Sequence, residues 1–222
     1  GIKDEPQHLI KGKITKNLLK LLGIKYEIIE SEKDFNKIKK LINFSKKKKV
    51  PVACLFKKGV LKKVNYHKKF SERSTIKNKI LRSEVIREIL KSIQNNTKII
   101  STTGYTSREL YQIRKNEGYH KGKDFYMIGG MGHSSSVALG AAFKKNKKIL
   151  CLDGDGSMLM HLGSLHTVGL MNKNNFKHIL LNNQSHESVG GQEISFKRVK
   201  MEKLIKGLGY STYIQLKDKK DL

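Results

Sequence analysis

A parallel α/β sheet flanked by helices, preceded by the tail of a second α/β domain, is the fold class that this 222-residue sequence predicts. Three observations predict it. Short apolar runs at Lys98–Ile100, Lys147–Leu152 and His178–Leu181 alternate with stretches of helical apolar spacing, the pattern of βαβ units. The run ahead of Gly154-Asp155-Gly156 is almost continuously apolar, as strands covered on both faces are. Gly-containing turns follow the strands directly, at the carboxyl ends where open α/β sheets bind their ligands.

Leu9–Leu22 carries Ile14, Leu18, Leu21 and Leu22 at helical spacing, and Gly23 is placed to end that helix. Asp34–Phe44 repeats the pattern at Phe35, Ile38, Leu41 and Ile42. Val50–Phe56 is a short buried strand. Residues 1–56 thus make a small α/β piece, too small for a whole domain. The basic, polar and aperiodic stretch 57–81 reads as a linker. The second domain, 82–222, opens with a helix at Ser83–Ile93, whose Val85, Ile86, Ile89, Leu90 and Ile93 share a face and whose N-cap is Ser83. Lys98–Ile100 is a strand leading into Thr102-Thr103-Gly104, and Ser107–Lys115 is the next helix. Phe125–Ile128 is a strand leading into Gly129–Gly132, and Ser135–Phe143, small and apolar, is a closely packing helix. Lys147–Leu152 is the strand before the Gly-Asp-Gly turn. Ser157–Met171 is one helix with Leu159, Leu162, Leu165 and Leu170 at helical spacing, and His178–Leu181 is the following strand. A loop at Gln184–Phe196, a helix near Val199–Leu208 and a last strand at Ser211–Leu216 complete the domain.

The chemistry is concentrated in the turn Gly154-Asp155-Gly156 and the pair Asn182-Asn183, which follows it after 25 residues. Glycines on both sides of Asp155 let the backbone approach a ligand without a Cβ clash. A helix starting near Ser157 offers free N–H groups to phosphate oxygens. A lone carboxylate would repel a diphosphate. A Mg²⁺ ion between them reverses the sign of that interaction, and Mg²⁺ takes oxygen ligands of the Asp and Asn kind. A tight βα turn with an incidental Asp is the plainer alternative. The combination of turn, spacing and paired amides at a strand end favours a metal-bridged diphosphate.

A GDG run followed at this distance by NN resembles the signature of thiamine diphosphate (ThDP) enzymes. The continuation NNQSHESVGGQ (Asn182–Gln192) narrows the resemblance to the phosphonopyruvate decarboxylase family, with sulfopyruvate decarboxylase as close kin. DEPQHLIKGKIT (Asp4–Thr15), TTGYTSRELY (Thr102–Tyr111) and GGMGHSSSVALGAA (Gly129–Ala142) support it in the family's order, over nearly the whole chain. The resemblance implies a ThDP-binding fold, with residues 1–56 as the C-terminal part of a pyrimidine-binding domain. Residues 82–222 would be a diphosphate- and Mg²⁺-binding domain, incomplete at its C-terminus. It also implies Mg²⁺ on Asp155, Asn183 and the backbone carbonyl of Ser185. Gly154, Gly156 and Ser157 would hold the diphosphate, with Thr103, Gly104 and Tyr105 on the neighbouring turn. Met131 would sit under the bent cofactor, and the Gly129 carbonyl would hold its amino group. The family's cofactor-activating glutamate lies in the pyrimidine domain, upstream of residue 1, so the chain alone is expected to be inactive. His133, His186 and Glu187 follow the Gly-rich turns and are candidates to move a proton at the reacting carbon. His8 is the candidate from the pyrimidine side. Arg108 and Lys121 are candidates to grip a phosphonate. The implied activity is decarboxylation of a small anionic 2-oxo acid, 3-phosphonopyruvate, to phosphonoacetaldehyde in phosphonate biosynthesis. A homo-oligomer with active sites between subunits is implied too.

Bulk composition excludes other classes. No apolar run approaches the about 18 residues of a membrane span. The start, GIKDEPQHLIKGK, lacks the apolar core of a signal peptide and has no initiator Met, so a cytoplasmic fragment is expected. The net charge of +27 raises nucleic-acid binding, but only six of the 46 basic residues are Arg and the lysines form no single stripe. Such a charge suits attraction of an anionic substrate instead. Cys54 and Cys151 lie in apolar strand-like runs and read as buried free thiols, with no spacing that marks a disulfide or a metal site.

Overall fold

A computed structural model describes residues 8–62, 80–119, 124–144, 146–194, 196, 199–216 and 219–221. The chain divides into two units, Gly1–Ser74 and Thr75–Leu222. Lys121 and the first residues of the Asp4–Thr15 segment lie outside the described residues, as does most of the predicted linker.

The first unit holds helix α1 (Leu9–Leu21), strand β1 (Lys25–Ile29), helix α2 (Phe35–Lys48) and strand β2 (Val52–Phe56). Gly23 adopts φ +65° just past α1, the left-handed conformation that ends a helix. The Asp34 carboxylate accepts from the backbone N–H groups of Glu30 and Ser31, which turns the chain into α2. β1 and β2 pair in parallel, Lys25 with Val52 through Ile29 with Phe56, and α2 crosses over between them. Ile29 and Leu41 are its buried apolar side chains, while Leu9, Ile10, Ile14, Leu18 and Leu21 of α1 stay exposed within this chain and Leu19 is half-buried.

The second unit is built on four parallel strands: β3 (Lys98–Ser101), β4 (Phe125–Tyr126), β5 (Ile149–Gly154) and β6 (Phe176–Leu181), in the spatial order β4-β3-β5-β6. Helices α3 (Arg82–Ser92), α4 (Tyr105–Asn116), α5 (Ser134–Ala142), α6 (Asp155–Met160), α7 (Ser164–Met171) and α8 (Met201–Gly207) complete it. Alternation along the strands assigns side chains to two faces. Ile99, Leu150 and Leu152 meet Ile86 and Leu90 of α3 and Leu110 and Ile113 of α4. Ile100, Ile149 and Cys151 meet Ala138 and Ala142 of α5. A third cluster joins Met158, Leu165, Ile194, Phe196 and Ile205. Both faces are therefore covered, which is why the strands read as continuous apolar runs.

Three expectations are corrected. The long helix predicted over Ser157–Met171 is two helices, broken at His161–Gly163. Ser83 lies inside α3 instead of capping it. The cap comes from Glu84, whose Oε2 accepts from Leu81 N–H at 2.9 Å. Ser211–Leu216 forms no strand among the described residues, and Ile214 and Leu216 stand exposed beside no partner strand. Cys54 is half-buried, whereas Cys151 is fully buried. No helix among the described residues is long and apolar enough to cross a membrane.

α7 and the chain leaving α8 approach backbone to backbone at Gly169. A Cβ there would run into the Leu208 carbonyl oxygen and lie 2.8 Å from the Gly209 carbonyl carbon. Alanine improves an exposed helix position by about 1 kcal/mol over glycine, while overpacking costs about 1–3 kcal/mol. Backbone cannot swing aside as a side chain can, so the clash should win. Gly169→Ala is expected to lower the urea midpoint at unchanged slope; a raised midpoint would show that α8 withdraws freely.

Candidate active site

The strand order places a topological switch point between β3 and β5. From β3 the chain goes outward to β4, then returns past it to β5 and on to β6. At such a point the connections diverge and leave a crevice above the carboxyl ends of the two central strands. Thr102–Gly104 and Gly154–Ser157 are the two turns that flank it. Gly129–Gly132 leaves β4 on one side, and Asn182–Ser185 leaves β6 on the other.

One hydroxyl ties three of these turns together. Ser157, 2% exposed, receives Thr102 Oγ1 at 2.8 Å and the Gly132 N–H at 3.0 Å on its Oγ. Behind it Ser107 Oγ donates to the Thr102 carbonyl at 2.6 Å, and Thr103 Oγ1 donates to the Ile128 carbonyl at 3.3 Å. Gly104 has φ +92°, and a Cβ there would press on Ser188 Oγ at 3.0 Å. Glycine is therefore required both by conformation and by space.

Asp155 is the buried acid of the crevice, at 3% exposure. Its Oδ1 accepts the Gly156 N–H at 2.9 Å and its Oδ2 accepts the Gln184 N–H at 2.6 Å. Burial nevertheless pushes its pKa above the usual carboxylate value, since desolvation outweighs these backbone donors. A buried carboxylate in this condition favours a neighbouring cation. The Asn pair is folded toward it by local turns: Gln184 N–H donates to Asn182 Oδ1 at 3.2 Å, and Ser185 N–H to Asn183 Oδ1 at 3.1 Å. Gln184 takes φ +56° to make that bend. The set that the resemblance implies, Asp155, the Asn183 amide oxygen and the Ser185 carbonyl, is all oxygen, of the kind that Mg²⁺ takes, and a cation beside Asp155 would neutralise its buried charge. The residues present thus fit the metal-bridged diphosphate.

The loop after β6 closes over the turn. Strands β7 (Ser185–His186) and β8 (Gln192–Glu193) pair antiparallel. The His186 ring lies against Gly156, where a Cβ would stand 2.6 Å from His186 Cε1. Glu187 Oε2 accepts from Asn183 Nδ2 at 3.2 Å and from Arg82 Nη1 at 3.0 Å, while Arg82 Nη2 reaches Glu109 Oε1 at 2.6 Å. Because Glu187 takes the amide nitrogen, the amide oxygen of Asn183, which accepts the Ser185 N–H, is the end of the amide left on the other side. Burial works against the Arg82 charge, and the two carboxylates outweigh it.

The other expected residues fall as follows. His133 starts α5, exposed, with Nδ1 3.1 Å from the Gly130 carbonyl and its ring centroid 4.1 Å from that of His161. Met131 is half-buried and Gly129 exposed on the turn after β4. Tyr105 begins α4, partly exposed, with the guanidinium groups of Arg82 and Arg108 5.7 and 5.8 Å from its ring. His8, at the start of α1, belongs to the first unit. Thr102, Arg82 and Gln184 are members of the network that sequence reading did not single out. Thr102 stood one position before the turn assigned to phosphate, and Arg82 carries no local signal.

Residues 101–222 match the thiamine pyrophosphate enzyme family, C-terminal TPP binding domain. The phosphonopyruvate decarboxylase of Streptomyces viridochromogenes is 30% identical, over 95% of this chain and 55% of that protein. That of Streptomyces hygroscopicus is 29% identical, over 95% and 54%. The sulfopyruvate decarboxylase subunit beta of Methanocaldococcus jannaschii is 37% identical, over 59% of this chain and 68% of that protein. The chain spans about half the length of the phosphonopyruvate decarboxylases it matches. It belongs to the thiamine pyrophosphate enzyme family, and residues 101–222 are its TPP-binding domain.

Ser157→Ala removes the acceptor of a buried N–H and of a buried hydroxyl at once. Leaving such a donor unsatisfied costs about 1–3 kcal/mol. The variant should therefore melt several degrees lower and bind ThDP more weakly, as read by thermal unfolding and by titration with the cofactor. Unchanged melting would mean that the three turns hold without this hydroxyl.

Proposed function

We propose that this member of the thiamine pyrophosphate enzyme family carries the diphosphate- and metal-binding part of a 2-oxo acid decarboxylase acting on 3-phosphonopyruvate. The products are phosphonoacetaldehyde and CO₂, and the reaction would serve phosphonate biosynthesis. The observation that carries the choice of substrate is the extent of the likeness. Phosphonopyruvate decarboxylases align over 95% of this chain, whereas the sulfopyruvate decarboxylase beta subunits align over 50–59% of it. The higher identity of those shorter matches, 37% and 38%, favours sulfopyruvate as the second reading.

When bound, ThDP supplies the carbon nucleophile and the electron sink for the departing CO₂. Asp155, the Asn183 amide oxygen and the Ser185 carbonyl would hold the Mg²⁺ that bridges to its diphosphate. The amide groups at the start of α6 and the Thr103–Tyr105 turn would receive the phosphate oxygens. Gly129 and Met131, on the turn after β4, would hold the other end of the cofactor in its bent form. His186, whose ring rests on Gly156, and His133, at the mouth of the crevice, would move a proton at the reacting carbon. Glu187 acts through Asn183, fixing which end of its amide meets the metal. By the family resemblance His8 is the candidate from the pyrimidine-domain side, and Arg108 is the phosphonate candidate among the described residues. The basic surface attracts the anionic substrate. We place the complete site between subunits of a homo-oligomer; the sulfopyruvate relatives named subunit beta are themselves parts of multi-subunit assemblies.

Aldehyde formation by the full-length protein, with ThDP and Mg²⁺, tests the reading against phosphonopyruvate and sulfopyruvate in parallel. Faster turnover of phosphonopyruvate, abolished by Asp155→Ala, is the expected outcome. Preference for sulfopyruvate would overturn the substrate and keep the metal site. Glu187→Ala should raise the Mg²⁺ concentration needed for half-maximal ThDP binding by about 10–100-fold, the usual effect of losing a group that orients a ligand. An unchanged Mg²⁺ requirement would remove Glu187 from that role.

A further inference from the structure

Beneath the Gly-Asp-Gly turn, on the face of the sheet covered by α5, lies a second group of ligating side chains that the decarboxylase reading does not use. Cys151 and Asp153 are two residues apart on β5 and so share a face. His178 stands directly opposite Cys151 on β6. The thiol sulfur, a carboxylate oxygen and a ring nitrogen all lie within 4.8 Å of one another. Cys151 is 0% and Asp153 1% exposed, and the His178 side chain is 7% exposed.

The bonding inside this group is incomplete. Asp153 Oδ1 accepts the Gly154 N–H at 2.9 Å, but Oδ2 is buried with no hydrogen-bond partner. His178 Nδ1 lies 3.0 Å from the Tyr210 hydroxyl, yet Nε2 is likewise buried and unpartnered. The two orphaned atoms face each other at 3.4 Å. A charge-assisted hydrogen bond between them would be shorter, about 2.7–2.9 Å. Two ligands each about 2.0–2.1 Å from a tetrahedral zinc ion stand about 3.3–3.4 Å apart. The observed separation is thus that of two ligands of one ion. The Tyr210 hydroxyl on the far ring nitrogen is the second contact that orients metal-bound histidines. Ser134 Oγ, buried beside the thiol, offers a fourth donor.

We propose that Cys151, Asp153 and His178 form a structural zinc site, distinct from the Mg²⁺ site at Asp155. Thiolate, imidazole and carboxylate are the donors that zinc accepts together. Burial pushes the Cys151 thiol well up; zinc would displace its proton on binding. At so buried a site the ion would enter as the domain folds.

The test is metal content of the full-length protein after exhaustive dialysis, by elemental analysis. About one zinc per chain is expected. It should persist in Asp155→Ala, which removes the Mg²⁺ ligand, and fall at least tenfold in Cys151→Ser and His178→Gln. Should those variants fail to fold, refolding the unaltered protein with Co²⁺ alone decides the matter. A thiolate-to-cobalt charge-transfer band in the near ultraviolet supports the site. Its absence, or zinc content unmoved by folded Cys151→Ser, overturns it and leaves a proton between His178 and Asp153.

Discussion

Parallel pairing of β3 with β5 is the constraint on which the site depends. Because β3 and β5 are neighbours in space while β4 intervenes in sequence, the chain must diverge above them. That divergence leaves Thr102–Gly104 and Gly154–Ser157 facing one crevice without any further contact to draw them together. The ladder continues past the strand itself, with Thr102 N–H on the Leu152 carbonyl at 2.8 Å. Ser157 then converts proximity into fixed geometry, since its single hydroxyl serves both Thr102 and Gly132. Rigid strand ends carry the ligating groups, and the adaptable segment, the loop after Asn183, closes from one side only.

Much of this was legible because buried parallel strands leave a plain mark. Ile-Leu-Cys-Leu before Gly154 is buried throughout, and His-Ile-Leu-Leu before Asn182 has no fully exposed position, so both read as strands. The helices after β3 and β4 were found from spacing, each within a residue or two of its observed ends. The break between α6 and α7 was not found. Apolar residues continue at helical spacing through it, and the only local signal was Gly163 beside an exposed His161. The supposed strand at Ser211–Leu216 failed for a different reason. Alternation describes what a strand needs, but a strand also needs a neighbour, and sequence does not say whether one is present.

Site residues divided along the same line. Asp155, Asn183 and the glycines were visible because turns constrain residue type locally. The groups that hold them were not. Arg82 reaches Glu187 across 105 positions of chain, and no pattern at either end announces the other. Cys151 looked like an ordinary buried thiol for the same reason: its partners are Asp153, whose neighbour in sequence is a glycine, and His178, from another strand. Metal spacings known from sequence arise within one loop or helix. A site built across two parallel strands has no fixed spacing, because the crossover between them can be of any length.

In the arrangement reached here, Asp153 and Asp155 bracket Gly154 with opposite tasks. Both are buried, both accept a backbone N–H from the residue that follows, and both are poorly hydrated. Two carboxylates so near each other in a dry strand end would repel strongly if nothing balanced them. The strand ends at Gly154, and the turn into α6 separates their surroundings: Asp153 stays on the packed face under α5, while Asp155 opens the helix at the crevice. A cation on the crevice side would balance Asp155 only when cofactor and Mg²⁺ are present. A cation held permanently on the packed side would balance Asp153 at all times. It would keep the strand end in register whether the crevice is filled or not. The turn would then be preorganised for the diphosphate before it arrives, and binding energy would not be consumed in ordering it.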